Sequence, residues 1–513
     1  MSKTLLAIGL SALVLAATLP NQALAQKRGG TVVLAQQAQP PSLDPATTSS
    51  EATRNFASHV FEGLFTRDEQ SGLIAQLADG YKVADDGLSV TITLRKGIKF
   101  HNGKEMGSDD VRASLLRYAK VGASAKIMEA VTDVVAVDRH TVKVVLSRPV
   151  PIFIEQLATP RGPVVVIPAE EAAKPANQAA VVGTGPYKFI SYVPDKELLL
   201  ERFADYVPDS RFDGPQGFGG KRTAYLDKIQ IRFVPEPGAR TAGLETGEYQ
   251  AVDSVPAPSA VRLQGNKQVT IYKVMPWAMQ TFFFNAMLAP TDNQKFRQAI
   301  QTGLGVEEIM AIASDGLYRM GWGWQYPEGA YYAGDAGKNM YNQHDKAKAT
   351  RLLQESGYAG QEMIMLTDNA FKGNQEATVV AAEQLRALGI KISIKTLDWP
   401  STVKTRRGAT GWNMVPIAVG TEPWEGPYGI AVLLAEPTIH KAKDPELEQL
   451  YKTLISAPTA DERKKVFAQF QTKAYEKAYA IKLGDVGQYV AVRSNLKGYK
   501  PYRMPRMWDV WYE

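Results

Sequence analysis

The alternation of apolar and polar positions is clearest between Gly87 and Tyr118. Val90, Ile92 and Leu94 alternate with Thr91, Thr93 and Arg95, which turns one apolar face to a core and predicts a half-buried strand. Asn102-Gly103 follows as a turn dipeptide that tolerates positive φ. Ser108 then offers an N-cap hydroxyl, with Asp109 and Asp110 in the first turn, where the helix dipole favours them. Val111, Leu115, Leu116 and Tyr118 fall near one stripe, the core side of that helix. Caps and turns account for every residue here, so the segment reads as scaffold.

A second stretch has the same clarity. Glu362 to Thr367 is a short apolar run, and Asn374 to Leu388 is helical with Val379, Ala382, Leu385 and Leu388 on one side. Gly389 stops that helix, and Ile390, Ile392 and Ile394 alternate as a strand. Such a β-α-β unit predicts parallel strands with a right-handed crossover, and ligands of such sheets bind outside the carboxyl ends of the strands. Those ends are Asp368-Asn369-Ala370-Phe371-Lys372 and Asp398-Trp399-Pro400-Ser401. A helix from Lys346 to Glu355, capped by Asp345 and stopped by Gly357, fits the same α/β arrangement.

Lys3, the apolar run from Leu5 to Leu19 and Ala23-Leu24-Ala25 predict a secretory signal peptide over residues 1–25, cleaved before Gln26. The run is short for a membrane span, which needs about 20 residues. With 513 residues, 45% of them hydrophobic, the chain can bury sizeable cores, and at about 100 to 200 residues per domain two or three are expected. The chain has no cysteine, so it forms no disulfide and carries no lipid-bearing cysteine to tether it. A freely soluble protein of the Gram-negative periplasm is the expectation. The net charge of +6 falls to +5 without Lys3, and its scattered basic residues predict no nucleic-acid partner.

Chemistry is hard to find. There is no cysteine nucleophile, no H-E-x-x-H, no G-x-S-x-G after residue 25 and no complete phosphate-binding loop, since Gly219-Gly220-Lys221 runs into Arg222. The five histidines, His59, His101, His140, His344 and His440, lack ligand spacing, so neither a metal nor a cofactor is implied. Gly183-Thr184-Gly185 before Pro186 suits a turn into a strand. An exported hydrolase would need a triad assembled from remote positions.

The order of strand, Leu94-Arg95-Lys96-Gly97-Ile98-Lys99-Phe100-His101-Asn102-Gly103-Lys104 and the helix from Ser108 resembles the large extracytoplasmic solute-binding proteins of ABC importers, family 5, the oligopeptide, dipeptide and nickel-binding type. Ser42-Leu43-Asp44-Pro45, Val60 to Leu64, Gly183 to Phe189, Tyr225 to Ile229, Thr246-Gly247-Glu248, Phe296 to Ile300 and Asp345 to Tyr358 continue the likeness along nearly all of the mature chain. The resemblance implies an α/β, two-lobed periplasmic binding protein fold with an extra inserted subdomain in the first lobe. Mapped here, the first lobe takes residues 26–57, 183–267 and a C-terminal return over 488–513, the inserted subdomain takes 58–182, and the second lobe takes 268–487. It further implies a monomer that hydrolyses nothing and hands a solute to a membrane permease driven by ATPases. A periplasmic sensor or chaperone of the same fold is the alternative from another class.

A closing cleft needs hydrogen-bonding groups and aromatic walls. Trp277, Trp322, Trp324 and Trp424 are the leading wall candidates, with Trp399 and Trp412 behind them, and Gln280 lies close to Trp277. In peptide-binding members of the family a carboxylate soon after the strand resembling Trp412 to Val419 pairs with the peptide's amino group. This chain reads Gly420-Thr421-Glu422-Pro423-Trp424, so Glu422 stands where an aspartate is usual, which leaves room for other amine-bearing solutes such as opine-like conjugates. Asp368 and Asn369 resemble a pocket segment and also end a parallel strand. Lys372 and Arg406 are candidate partners for a ligand carboxylate, Arg406 favoured for its planar fork. Gln36 and Gln37 close the first strand.

Overall fold

The two longest strands, Val269–Phe284 and Ala480–Arg493, pair antiparallel from Val269 opposite Arg493 to Phe283 opposite Ala480. They form the middle of an eleven-stranded sheet in a computed structural model that describes residues 27–369, 371–420 and 426–513. The expected signal peptide lies outside these residues, as do Ala370, Glu422 and Trp424. On one side of the central pair come Met414–Val419, Met363–Asp368 and Ile392–Leu397. On the other come Ala251–Val255, Thr31–Gln36, Lys228–Phe233, Glu197–Arg202 and Tyr187–Val193. Each central strand therefore serves both halves of the molecule. Their ladder shifts register between Val274 and Ala278 and again between Gln280 and Thr281, irregularities of the kind that bend a ribbon.

The second half buries both faces of its strands, which is why Ala278 to Phe284 is buried without a break and is apolar but for Gln280 and Thr281. Phe282 and Phe284 pack with Phe296, Ile309 and Ala381, whereas Met279 and Phe283 pack with Ile430, Phe467 and Phe470. The expected β-α-β unit is present: Met363 lies opposite Ile392 and Asp368 opposite Leu397 in parallel register, joined by the helix Lys372–Ala387. Its buried side is Ala377, Ala381, Ala382 and Leu385. Val379, expected on that side, is 46% exposed, because it follows Ala377 by about 200° of helix rotation.

A separate four-stranded antiparallel sheet runs in the order Ala78–Val83, Ser89–Leu94, Thr141–Leu146, Val131–Asp138. Val90, Ile92 and Leu94 face its core with Val142 and Val144, under Val111, Leu115 and Tyr118 of the helix Ser108–Val121. Gly107, rather than Ser108, is the N-cap, and the Asp110 carboxylate accepts the Gly107 N–H at 3.0 Å. The acid in the first turn thus caps the chain from within the helix and leaves Ser108 as its first residue.

Gly183 and Gly185 do form a turn into the strand Tyr187–Val193, and a Cβ on either would overlap the carbonyls of Val60 and His59. The imidazole of His101 sits between them, accepting the Gly183 N–H at Nδ1 (3.3 Å) and donating from Nε2 to the Gly185 carbonyl (2.9 Å). His59 is fixed the same way: Nδ1 donates to the Asn55 carbonyl (2.8 Å) and Nε2 accepts the Met507 N–H (3.0 Å), which ties the C-terminal segment to the first half. Each ring has one nitrogen committed as an acceptor, so a second proton has no place. Burial holds His59 at about 3 and His101 at about 4. An unfolded imidazole protonates at about 6.5. The unfolded chain therefore binds more protons as pH falls from about 6.5 toward 4, and the fold loses stability across that window. Nitrogen-15 NMR of labelled histidine is expected to show both rings neutral at pH 5, and a ring titrating near 6.5 would contradict the assignment.

Candidate functional site

The carboxyl ends of parallel strands in both halves open on one cleft with a volume of about 410 Å³. From the first half it is lined by Ser254, Val255 and Ala257, at the end of Ala251–Val255. From the second half come Gln280, Ala313 to Asp315, Leu317, Ala418 and Phe371 to Asn374, the last group following the strand end at Asp368. Val486 to Tyr489 of the central strand cross between them. This is the location that α/β topology assigns to ligands.

Its chemistry is mixed. Phe371, 51% exposed, offers an aromatic face, and Tyr489 adds a second ring. The ammonium of Lys372 is held by Asp315 at 2.9 Å and Glu376 at 3.5 Å, so it comes to a ligand already paired. Asp368 accepts the Phe371 N–H at Oδ1 (2.7 Å) and the Asn374 amide at Oδ2 (3.0 Å), and Asn374 in turn accepts from Gln280 at 3.0 Å. In the first half Asp253 receives the Gln37 N–H at 3.0 Å, while Gln488 donates to the Asp253 carbonyl at 2.7 Å. Burial pushes the Asp253 carboxyl up to about 6 against the opposing pull of the Gln37 N–H and Arg240.

Of the residues expected from sequence, Gln280 and Lys372 line the cleft, and Asp368 reaches it through Asn374. Gln37 is exposed beside Asp253. Gln36 is buried, bonded to Asn55 and Ala38. Asn369 is exposed, with its N–H on the Leu397 carbonyl. Arg406 is half-buried, and burial lowers its guanidinium pKa, with Arg407 adding to the effect and Asp368 opposing it. Trp277 is half-buried under the Arg503 guanidinium. Trp322 donates to the Gly334 carbonyl at 2.7 Å and carries Lys338 over its ring. Two aromatic expectations need correction. Trp324 and Trp412 are 1% and 0% exposed in the core of the second half, because their large apolar area is best spent in packing. The side chain of Trp399 lies outside the described positions. Sequence reasoning missed Asn374, Gln488 and Tyr489. Asn374 alone left a signal, a polar residue on the apolar stripe of its helix.

The halves also meet directly. Glu155, beside the four-stranded sheet's core, takes Arg463 of the second half at 2.8 Å and the Tyr331 hydroxyl at 3.2 Å. Arg463 donates to the same hydroxyl at 3.1 Å. Nearby, Arg161 donates to the Gly420 carbonyl at 3.1 Å. Burial and the Glu155 charge raise the Tyr428 phenol pKa, so it stays a neutral donor against Tyr331.

Two α/β lobes, two shared crossing strands and a cleft at the strand ends are the architecture of a two-lobed binding protein. Residues 72–439 match the model for bacterial extracellular solute-binding proteins, family 5, middle region, and the chain belongs to that family. It is 25% identical over 486 residues, 91% of each chain, to the probable peptide ABC transporter periplasmic-binding protein y4tO of Sinorhizobium fredii. It is 30% identical over 401 residues to the glutathione-binding protein GsiB of Salmonella choleraesuis, covering 77% of this chain and 74% of that one. The fold matches the PBP AgaA of A. tumefaciens R10, solved in complex with agropinic acid, with a TM-score of 0.74 and 24% identity over 94% of this chain and 99% of that one. The chain is accordingly the solute-binding component of an ABC importer.

Glu155→Ala would leave the buried Arg463 guanidinium without its carboxylate. It is expected to weaken closure by roughly 1–2 kcal/mol and to speed release of a bound solute about tenfold. Stopped-flow dissociation measures this, and an unchanged rate would show that the contact contributes nothing to the closed state.

Proposed function

We propose that this protein works in the periplasm after removal of residues 1–25, captures a peptide or another amine-bearing polar solute between its lobes, and delivers it to a membrane permease driven by ATPases. The observation that carries the reading is the cleft at the carboxyl ends of strands from both lobes, with lining side chains on each. A solute seated there touches both lobes only when they are closed, so its differential contacts shift the population toward closure. The lobe assignment adopted is 26–57, 183–267 and 488–513 for the first, 58–182 for its inserted subdomain and 268–487 for the second. The protein acts as a monomer and performs no chemistry on its cargo.

The relatives named for peptides and for glutathione support a ligand with a free amine. Glu422, one residue before Pro423-Trp424, is proposed as its charge partner on its sequence position. A carboxylate in a closing, water-poor cleft favours an ammonium strongly.

Protein purified from its native host and denatured is expected to release a stoichiometric peptide or amine conjugate, identified by mass spectrometry. Glu422→Gln is expected to raise the Kd for that solute about tenfold or more. An equal Kd would remove Glu422 from the site, and a released solute without an amine would overturn the ligand class.

A further inference from the structure

We infer that Asp368 and Asn374 lock Gln280 as a one-way hydrogen-bond acceptor in the cleft, so that the site selects ligands presenting an N–H or O–H at that point. The inference rests on the cleft being the solute site and adds a specific recognition element to it.

Donor and acceptor capacity fixes the direction of the chain of hydrogen bonds. A carboxylate only accepts. Asp368 is buried, and its two oxygens receive the Phe371 N–H and the Asn374 side chain at 2.7 and 3.0 Å. Asn374 must therefore turn its Nδ2 toward Asp368, which leaves its Oδ1 for Gln280. That oxygen can only be met by a donor, so Gln280 presents Nε2 to it at 3.0 Å. Oε1 of Gln280, on the other arm of the same planar amide, is left for the cleft that the residue lines. No hydrogen bond to it is formed by the described residues.

Three features stop the amides from turning over. Gln280 is 4% exposed and sits on the central strand, paired with Ala418 and Gly484. Asn374 is buried in the first turn of its helix, between Asp368 and Gln280. Reversing either amide would set oxygen against oxygen at 3.0 Å within a buried pair, at the cost of an unmade hydrogen bond. A fixed acceptor discriminates more sharply than a free one. A ligand lacking the donor leaves a buried carbonyl oxygen unpaired, whereas a mobile glutamine would rotate to suit.

Neutron diffraction from the perdeuterated free protein reads the orientation directly. Deuterons on Gln280 should lie on the atom facing Asn374, and deuterons on the atom facing the cleft would overturn the inference. Calorimetric titration of trialanine and its mono-N-methylated forms reads the consequence. In the wild type one N-methylation is expected to weaken binding about tenfold or more. That ratio should collapse toward one in Gln280→Met, and shrink in Asp368→Asn, where the neutral amide no longer dictates the direction. Equal ratios in the wild type and Gln280→Met would contradict the role of Gln280. If the wild type binds none of these peptides, the peptide reading of the cleft fails while the neutron map still decides the relay.

Discussion

Everything in this molecule depends on two strands that belong to both lobes at once. Val269–Phe284 hydrogen-bonds along its far end to Met414–Val419 of the second lobe, and Ala480–Arg493 hydrogen-bonds along its own far end to Ala251–Val255 of the first. Neither lobe completes its sheet without them. Within Ala480–Arg493, Lys482 and Asp485 lie fully buried 2.9 Å from one another, and Arg319 of the neighbouring short strand Tyr318–Arg319 sits 2.8 Å from the same carboxylate. Burial lowers the Lys482 ammonium pKa and Asp485 opposes it. Such a buried pair adds little net stability, but removing one partner would leave an uncompensated charge in the interior. Immediately beyond it, Val486 to Tyr489 enter the cleft.

The ladder between the shared strands is irregular between Val274 and Ala278 and again between Gln280 and Thr281. Regular pairing on both sides resists bending, whereas a shifted register has fewer ladder bonds to lose. Direct contacts between the halves include Glu155 with Arg463 and Arg161 with Gly420. A solute that touched both walls of the cleft would favour their approach, as the proposed function requires.

Local structure was legible in the sequence wherever period and punctuation agreed. The alternation in Val90, Ile92 and Leu94, the helix capped by Asp345 and the parallel unit around Met363 and Ile392 all have the expected form. The central pair was not legible, because Val269 meets Arg493 across most of the second lobe and no local pattern encodes a pairing of that range. The site was half legible. Strand polarity led to Asp368 and Lys372, but tryptophan was a poor guide to the walls. Trp324 and Trp412 fill the core, and Phe371 faces the cleft instead. Asn374 was hidden because a single polar residue on an apolar helix face resembles a tolerated exception until its partners are known.

The central claim is that the lobes close over a solute about the shared strands. Because the chain has no cysteine, Val261→Cys and Ile312→Cys, both exposed and on helices whose ends line the two sides of the cleft, give a specific dye pair. Single-molecule energy transfer between them, with calorimetry on the same sample, tests the claim most directly. The account predicts a shift to higher transfer when the solute released from native protein is added back. An unchanged distribution at calorimetrically saturating solute would contradict it.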